Sequence, residues 1–319
     1  MSTGASAPIR RSFNRALFVI LCAGLLLDVV LVALLPLQGP LGPVLALFPI
    51  NVLIYLGAGL LAWRYRPSNR MGALILLTGV WIYLGGLGNT DVAVLAALGT
   101  IGGSMPLAGL VHLLLAFPSG RMQGQISRAT AIAAYATSSV LQAPRYLFSP
   151  DLAAPGLMVT DAPALAQWGG NLQEGIGFVV LTSTAILLAD RLRRSTAVER
   201  RVLVPLYGYG IVALVMLLFA SRILWPVLGW AQADTAALQL LVFCGVPIAF
   251  ALGMLRGGMA RTGELEELGV WLGEVSSAKP AIGAALARTL GDPTLEVWFW
   301  VPARNGYVDT DGVEVTVQR

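Results

Sequence analysis

Few side chains in this sequence can do chemistry, and their spacing limits which chemistry that is. His112 is the single histidine, Lys279 the single lysine, and Cys22 and Cys244 are the two cysteines. One histidine and two scattered cysteines cannot form a tetrahedral zinc set without carboxylates, so no metal is expected. Both cysteines lie inside apolar runs and no C-x-x-C pair is present, which argues against a structural disulfide and against redox work. A Schiff-base photosensor needs a buried lysine, whereas Lys279 falls in a polar tail. No GxxxxGKS or GxxxxGKT loop and no GxSxG elbow occurs. The sequence therefore offers no catalytic residues and calls for no cofactor.

The remaining polar groups are candidates for binding or switching. Asp28 falls midway through an apolar run, where a carboxylate is costly unless paired or protonated. Asn51 and Gln239, inside other apolar runs, are candidate partners for it. Arg145 and Arg222 are basic residues on segments otherwise poor in them; Glu174 and Asp234 open two later runs. Arg145 and Glu174 flank the connection Ser149–Asn171. They read either as interfacial anchors, helped by Trp168, Trp225 and Trp230, or as the lining of a ligand pocket open to the outside or the outer leaflet. His112 reads as a helix-packing histidine or as a single-ligand site.

The elements that must position these groups follow from composition. Of 319 residues, 56% are hydrophobic and only 12% charged, against about 25% charged in a soluble domain. Mean hydropathy is +0.75. Disordered, disulfide-rich and ordinary soluble classes are excluded. Eight apolar runs reach or approach the roughly 17–25 residues needed to cross a bilayer: Phe13–Leu35, Val44–Trp63, Met71–Leu87, Val92–Phe117, Ala129–Phe148, Leu172–Ala189, Val202–Val227 and Ala236–Leu255. The fifth is weakest, because it contains Gln142 and Arg145; if it lies on the surface the count is seven. The runs are too long and continuous for barrel strands, so helices are expected. Small-residue clusters such as Gly57-Ala58-Gly59 and Gly99–Gly103 would let helices approach closely.

Charge sets the expected orientation. Residues 1–263 carry 17 Arg and 8 acidic residues; residues 264–319 carry 4 basic and 9 acidic ones. Arginines cluster at 10, 11 and 15, at 64, 66 and 70, at 121 and 128, at 191, 193, 194, 200 and 201, and at 256 and 261. Those clusters alternate with connections holding Asp91, Asp151, Asp161 and Asp234. By the positive-inside rule both termini are cytoplasmic in a plasma membrane, and nucleic acid is not a direct partner. The alternation also argues for keeping the fifth span.

After Arg261 the texture changes. Leu265, Leu268, Leu272 and Val275 recur at helical spacing among Glu264, Glu266, Glu267 and Glu274. This helix reads as a signal-relay element that pairs with a second copy, or as an ordinary amphipathic linker. Pro280–Leu290 is a second helix, ended at Gly291-Asp292-Pro293. Thr294–Val301, Tyr307-Val308 and Val313–Val317 read as short strands around an Asn305-Gly306 turn. So small a sheet cannot easily stand alone, and a truncated chain or completion by another copy is expected. The organisation is a tail (1–12), an eight-helix membrane domain (13–255), a linker helix (256–278) and a partial α+β segment (279–319).

The stretches WRYRPSNRMGALIL (63–76), LVHLLLAFPSGRM (110–122) and ALARTLGDPTLEVWFWVPARNGYVDTDGVEV (285–315) resemble the amino-terminal half of actinobacterial sensor histidine kinases with a multi-span membrane domain. In that family the last stretch resembles a GAF-like segment. The resemblance implies a homodimer and a two-component signalling role. It departs where the phosphotransfer helices and ATP-binding domain are absent, and His112 does not match a phospho-accepting histidine. The expectation is a membrane sensing and relay module without kinase activity of its own, in contact with membrane lipid and with a small apolar or lipid-like ligand. A transporter or channel subunit is the alternative; it explains Asp28 and the arginines but not the acidic tail.

Overall fold

The computed structural model describes residues 6–67, 69–149, 157–195, 197–220, 224, 227–256, 298–301, 306–308 and 314–315. The chain divides into two compact units, Met1–Met254 and Leu255–Arg319. In the first, every regular element among the described residues is a helix: α1 (Ser6–Leu34), α2 (Gly42–Leu45), α3 (Leu47–Tyr65), α4 (Met71–Leu87), α5 (Ala93–Gly102), α6 (Met105–Ala116), α7 (Gln125–Ser139), α8 (Ala143–Leu147), α9 (Pro163–Arg194), α10 (Ala197–Phe219) and α11 (Gln232–Arg256).

Five of these helical stretches are long and apolar enough to span a membrane: Phe13–Leu34, Gly42–Tyr65, Ala93–Ala116, Pro163–Arg194 and Gln232–Phe250. Met71–Leu87 and Leu203–Leu217 are apolar but shorter. The expected fifth span is helical but divided, α7 ending at Ser139 and α8 starting at Ala143. Its Ala, Ser and Thr content gives it little hydropathy, and it is not among the five. α9 is 32 residues long, about 48 Å at 1.5 Å per residue. It therefore starts well before the apolar run at Leu172, because helix continuity needs backbone bonds and not an apolar sequence.

Packing is written in a few positions. On α1 the residues turned inward are Leu17, Gly24, Asp28 and Leu31, with Leu35 just past its end, a seam at heptad-like spacing of the kind that holds two helices together. The opposite face, including Phe18, Leu26 and Val29, is exposed and apolar. α3 and α4 pack through Gly59 and Gly72: a Cβ on Gly72 would sit 2.7 Å from Trp63 Cβ and 2.8 Å from its backbone nitrogen. Small residues at such crossings replace the hydrophobic drive that lipid removes. The core of α6 is almost wholly enclosed, with Leu110, Leu113, Leu114 and Leu115 at 1% exposure or less.

In the second unit, β1 (Phe299–Val301), β2 (Gly306–Val308) and β3 (Glu314–Val315) form an antiparallel meander in the order β1-β2-β3. Trp300 pairs with Tyr307, and Val308 with Glu314. The expected relay residues Leu265, Leu268, Leu272 and Val275 lie outside the described residues, as do the helix at 280–290 and Arg222.

Candidate functional site

The arginine-bearing connections after α3, α6 and α9 meet at one end of the helical unit. Asn69 Nδ2 donates to the Pro118 carbonyl at 2.9 Å, and Asn69 Oδ1 accepts from the Met71 amide at 2.9 Å. Gly120 has φ +73°, and a Cβ there would lie 2.7 Å from the Met71 nitrogen. Only glycine suits both the left-handed conformation and that approach. Arg191, in the last turn of α9, donates to the Leu115 carbonyl at 2.7 Å and to Ser127 Oγ at 2.9 Å. It therefore satisfies one of the free carbonyls at the end of α6. Tyr207 of α10 donates to the Phe117 carbonyl at 3.0 Å. Phe117 stands edge-on to Tyr207 and to Phe250 of α11, with ring centroids 5.9 and 5.2 Å apart. Two stretches far apart in sequence, around Asn69 and around Phe117–Gly120, thus form one junction with α9, α10 and α11.

α11 also receives polar side chains nearer the other end. Pro247 has no N–H, so the Phe243 carbonyl four residues earlier loses its helical donor. The Tyr55 hydroxyl, fully buried on α3, donates to that carbonyl at 3.2 Å. Tyr209 donates to the Val242 carbonyl at 2.8 Å, and Asn51 Nδ2 to the Leu240 carbonyl at 3.1 Å. Cys244 lies beside Asn51 and the two tyrosines. Gly245 admits the Tyr209 ring tip, which a Cβ would displace. Three hydrogen bonds from α3 and α10 therefore hold the middle of α11 at its proline.

Beyond that point lies a cavity of about 550 Å³, within the roughly 300–1,000 Å³ range of small-molecule pockets. Its walls are Phe48, Ile82, Leu107, Leu181, Leu217 and Phe243, with Asn89, Gln232 and Gln239 as polar groups. A second cavity of about 220 Å³ lies between α6, α7, α8 and α9. Arg145 and Glu174 both line it, beside Gln173. Leu107 and Leu181 belong to both walls.

The residues singled out from sequence thus separate into groups. Arg145 and Glu174 share a cavity, and Gln239 lines the other. Asn51 is not bonded to Asp28: it donates to the carbonyls of Leu47 and Leu240. Azimuth on the helix decides the pairing, and Asn51 faces α11. Asp28 is 5% exposed, its Oδ1 has no hydrogen-bond partner, and its polar neighbour is Tyr83 of α4. His112 Nδ1 and the Tyr135 hydroxyl are 3.2 Å apart, ring edge to ring face, with Trp81 next to Tyr135. Asp234 is exposed in the first turn of α11, where a carboxylate suits the helix dipole. Among the described residues no three His, Cys, Asp or Glu side chains converge as a metal would require.

Tyr55, Tyr207 and Tyr209 are not singled out by the sequence pattern, and Arg191 stands there only as one member of an arginine cluster. Pro247 was the available signal, since a proline inside a span demands an external donor four residues back.

No protein-family model, no curated protein and no solved structure matches the chain.

Proposed function

We propose that this chain is a membrane-embedded sensing and relay module of the two-component type, with eight spans, a cytoplasmic basic end and a GAF-like cytoplasmic segment. The observation that carries the reading is the course of α11. One helix lines the 550 Å³ cavity with Gln239 and Phe243, is held at its proline by Tyr55 and Tyr209, and seats Phe250 in the basic-end junction. It then runs on to Arg256, ahead of the acidic stretch that follows Arg261. A small apolar or lipid-like ligand in the cavity would contact the same rigid element that leaves the membrane. Two packings of that element are a recognised means of switching.

The arginine connections that meet around Phe117 favour cytoplasmic placement of that end. Eight helical passes follow if α7 with α8 and the two shorter apolar helices also cross. The protein works as a homodimer in this reading, with Leu265, Leu268, Leu272 and Val275 as the pairing stripe. Phosphotransfer belongs to a separate output domain, and the chain itself is not a catalyst.

The test is a chimera in which a complete phosphotransfer and ATP-binding output follows Arg319. Leu268→Asp with Leu272→Asp should uncouple its autophosphorylation from the membrane domain, with tail crosslinking reduced. Unchanged crosslinking and unchanged output would defeat the relay. Solute flux through liposomes carrying the purified chain would instead establish a transporter.

A further inference from the structure

The larger cavity combines apolar depth with one kind of polar group. Its polar side chains Asn89, Gln232 and Gln239 are all carboxamides, and no charged side chain lines it among the described residues. A carboxamide both donates and accepts, but it offers an ion no counter-charge. An ion taken into such a lining would lose its water without gaining a partner. The acids nearest these amides in sequence, Asp91 and Asp234, are exposed and do not line the cavity. They repel an anion at that end, and an exposed pair with a cation adds little. The polar groups are also ordered along α11. Asn89 and Gln232 are exposed, whereas Gln239 is half-buried. Gln239 follows Gln232 by about 10 Å at 1.5 Å per residue, and Phe243 lies about 6 Å further on. The other walls are apolar, with Ile82, Leu181, Leu217 and Phe243 buried. Asn89 Nδ2 lies 3.3 Å from the Gly86 carbonyl, which leaves its Oδ1 to accept from a ligand hydroxyl.

We infer that this cavity takes an uncharged single-chain amphiphile with a hydroxyl-bearing head, of the size of a monoacylglycerol with a ten-carbon chain. The inference deepens the sensing reading above and rests on it. The head hydroxyls would meet Asn89 and Gln232, and the Gln239 amide would donate to the ester carbonyl. The chain would fill the space as far as Phe243. At about 30 Å³ per water-sized group, 550 Å³ holds about 18 such groups, close to the non-hydrogen atom count of 1-decanoylglycerol. A two-chain phospholipid exceeds that volume and brings a charged head.

The experiment places the full chain in phosphatidylcholine nanodiscs and photolabels it with 1-decanoylglycerol carrying a diazirine near the end of its chain. Mass spectrometry maps the crosslinked residues. Unlabelled 1-decanoylglycerol, decyl sulfate and decyltrimethylammonium, at equal mole fractions in the bilayer, are the competitors. Saturable labelling should fall on Leu240 and Phe243, and 1-decanoylglycerol should compete at least tenfold better than either ion. Gln239→Leu should weaken that competition at least threefold. Gln239→Arg should reverse the preference in favour of decyl sulfate, a gain that misfolding cannot mimic. Ala236→Phe, which fills the cavity, should abolish labelling in protein that still unfolds cooperatively. The assignment is overturned by no saturable labelling of the cavity wall, by either ion competing as well as 1-decanoylglycerol, by an unreversed preference in Gln239→Arg, or by unchanged labelling in Ala236→Phe. The labelling needs no output domain, whereas the relay is read in the chimera, so the two readings fail separately.

Discussion

Removing the Tyr55 hydroxyl isolates the role of Pro247. Tyr55→Phe keeps the ring, which is fully buried, and deletes only the donor to the Phe243 carbonyl. That carbonyl has no helical N–H because residue 247 is proline. A buried acceptor stripped of its partner loses roughly 1–3 kcal/mol in water-soluble proteins. Side-chain hydrogen bonds between membrane helices average about 0.6 kcal/mol and reach about 1.7. The 3.2 Å separation is long for an O–H donor, which places the expected loss near ~1 kcal/mol. Pro247→Ala restores an N–H four residues along, so the carbonyl no longer depends on Tyr55. In that background Tyr55→Phe should cost less than about 0.5 kcal/mol. Reversible unfolding in mixed micelles across the four variants gives the coupling directly. An equal loss in both backgrounds would refute the argument that the tyrosine serves the proline-freed carbonyl.

Four further outcomes follow from the same geometry. Gly72→Leu should destabilise by about 1–3 kcal/mol through overpacking, because even its Cβ meets Trp63 at 2.7 Å; thermal unfolding reads this, and an unchanged midpoint counts against the α3–α4 contact. Asp28→Asn should keep or raise stability, since Oδ1 has no hydrogen-bond donor to lose, and a loss above about 1 kcal/mol would show that the charge is needed. Arg191→Lys should lose about 1 kcal/mol in the same unfolding assay, because one ammonium on a different stem replaces a fork that reaches both Leu115 and Ser127. Cysteines placed at Ser119 and Ser195 should label from the cytoplasmic side and one at Thr160 from outside; an external signal from Ser195 breaks the eight-span topology.

How much of this was legible in the sequence depends on which property each residue reports. Apolar runs located the helices well, because the bilayer demands them and hydropathy measures that demand. They placed the start of α9 too late, because Gln167, Gly169, Gly170 and Asn171 lower hydropathy ahead of Leu172 without interrupting the helix that begins at Pro163. They also left α7 ambiguous, since Ser, Thr and Ala pack against helices without giving a strong apolar signal. The arginine-bearing stretches around Asn69, Phe117–Gly120 and Arg191 meet at one end of the helical unit; the side of a membrane that this end faces is a proposal drawn from charge. Pairings across helices were less readable. Asn51 turns toward α11 and Asp28 toward Tyr83 of α4, so the contact between them that the sequence allowed is not formed. Arg145 and Glu174 do share a cavity, since each lies close to one end of the same connection. The tyrosines on α11 carbonyls were hidden, because a phenol in a span reads first as bulk.

The claim on which the account turns is that α11 carries movement from the large cavity to the basic end. It is tested most directly by a spin-label distance between Ser119 and Met254, each replaced by labelled cysteine, in nanodiscs with Cys22 and Cys244 changed to Ala. Ala236 lines the cavity from α11, so Ala236→Phe fills it without touching the junction at Phe250. The account predicts that this filling shifts the Ser119–Met254 distance distribution, and that Phe250→Ala, which removes the contact with Phe117, abolishes the shift. An identical distribution with the cavity open and filled, in protein that unfolds cooperatively in both forms, contradicts it.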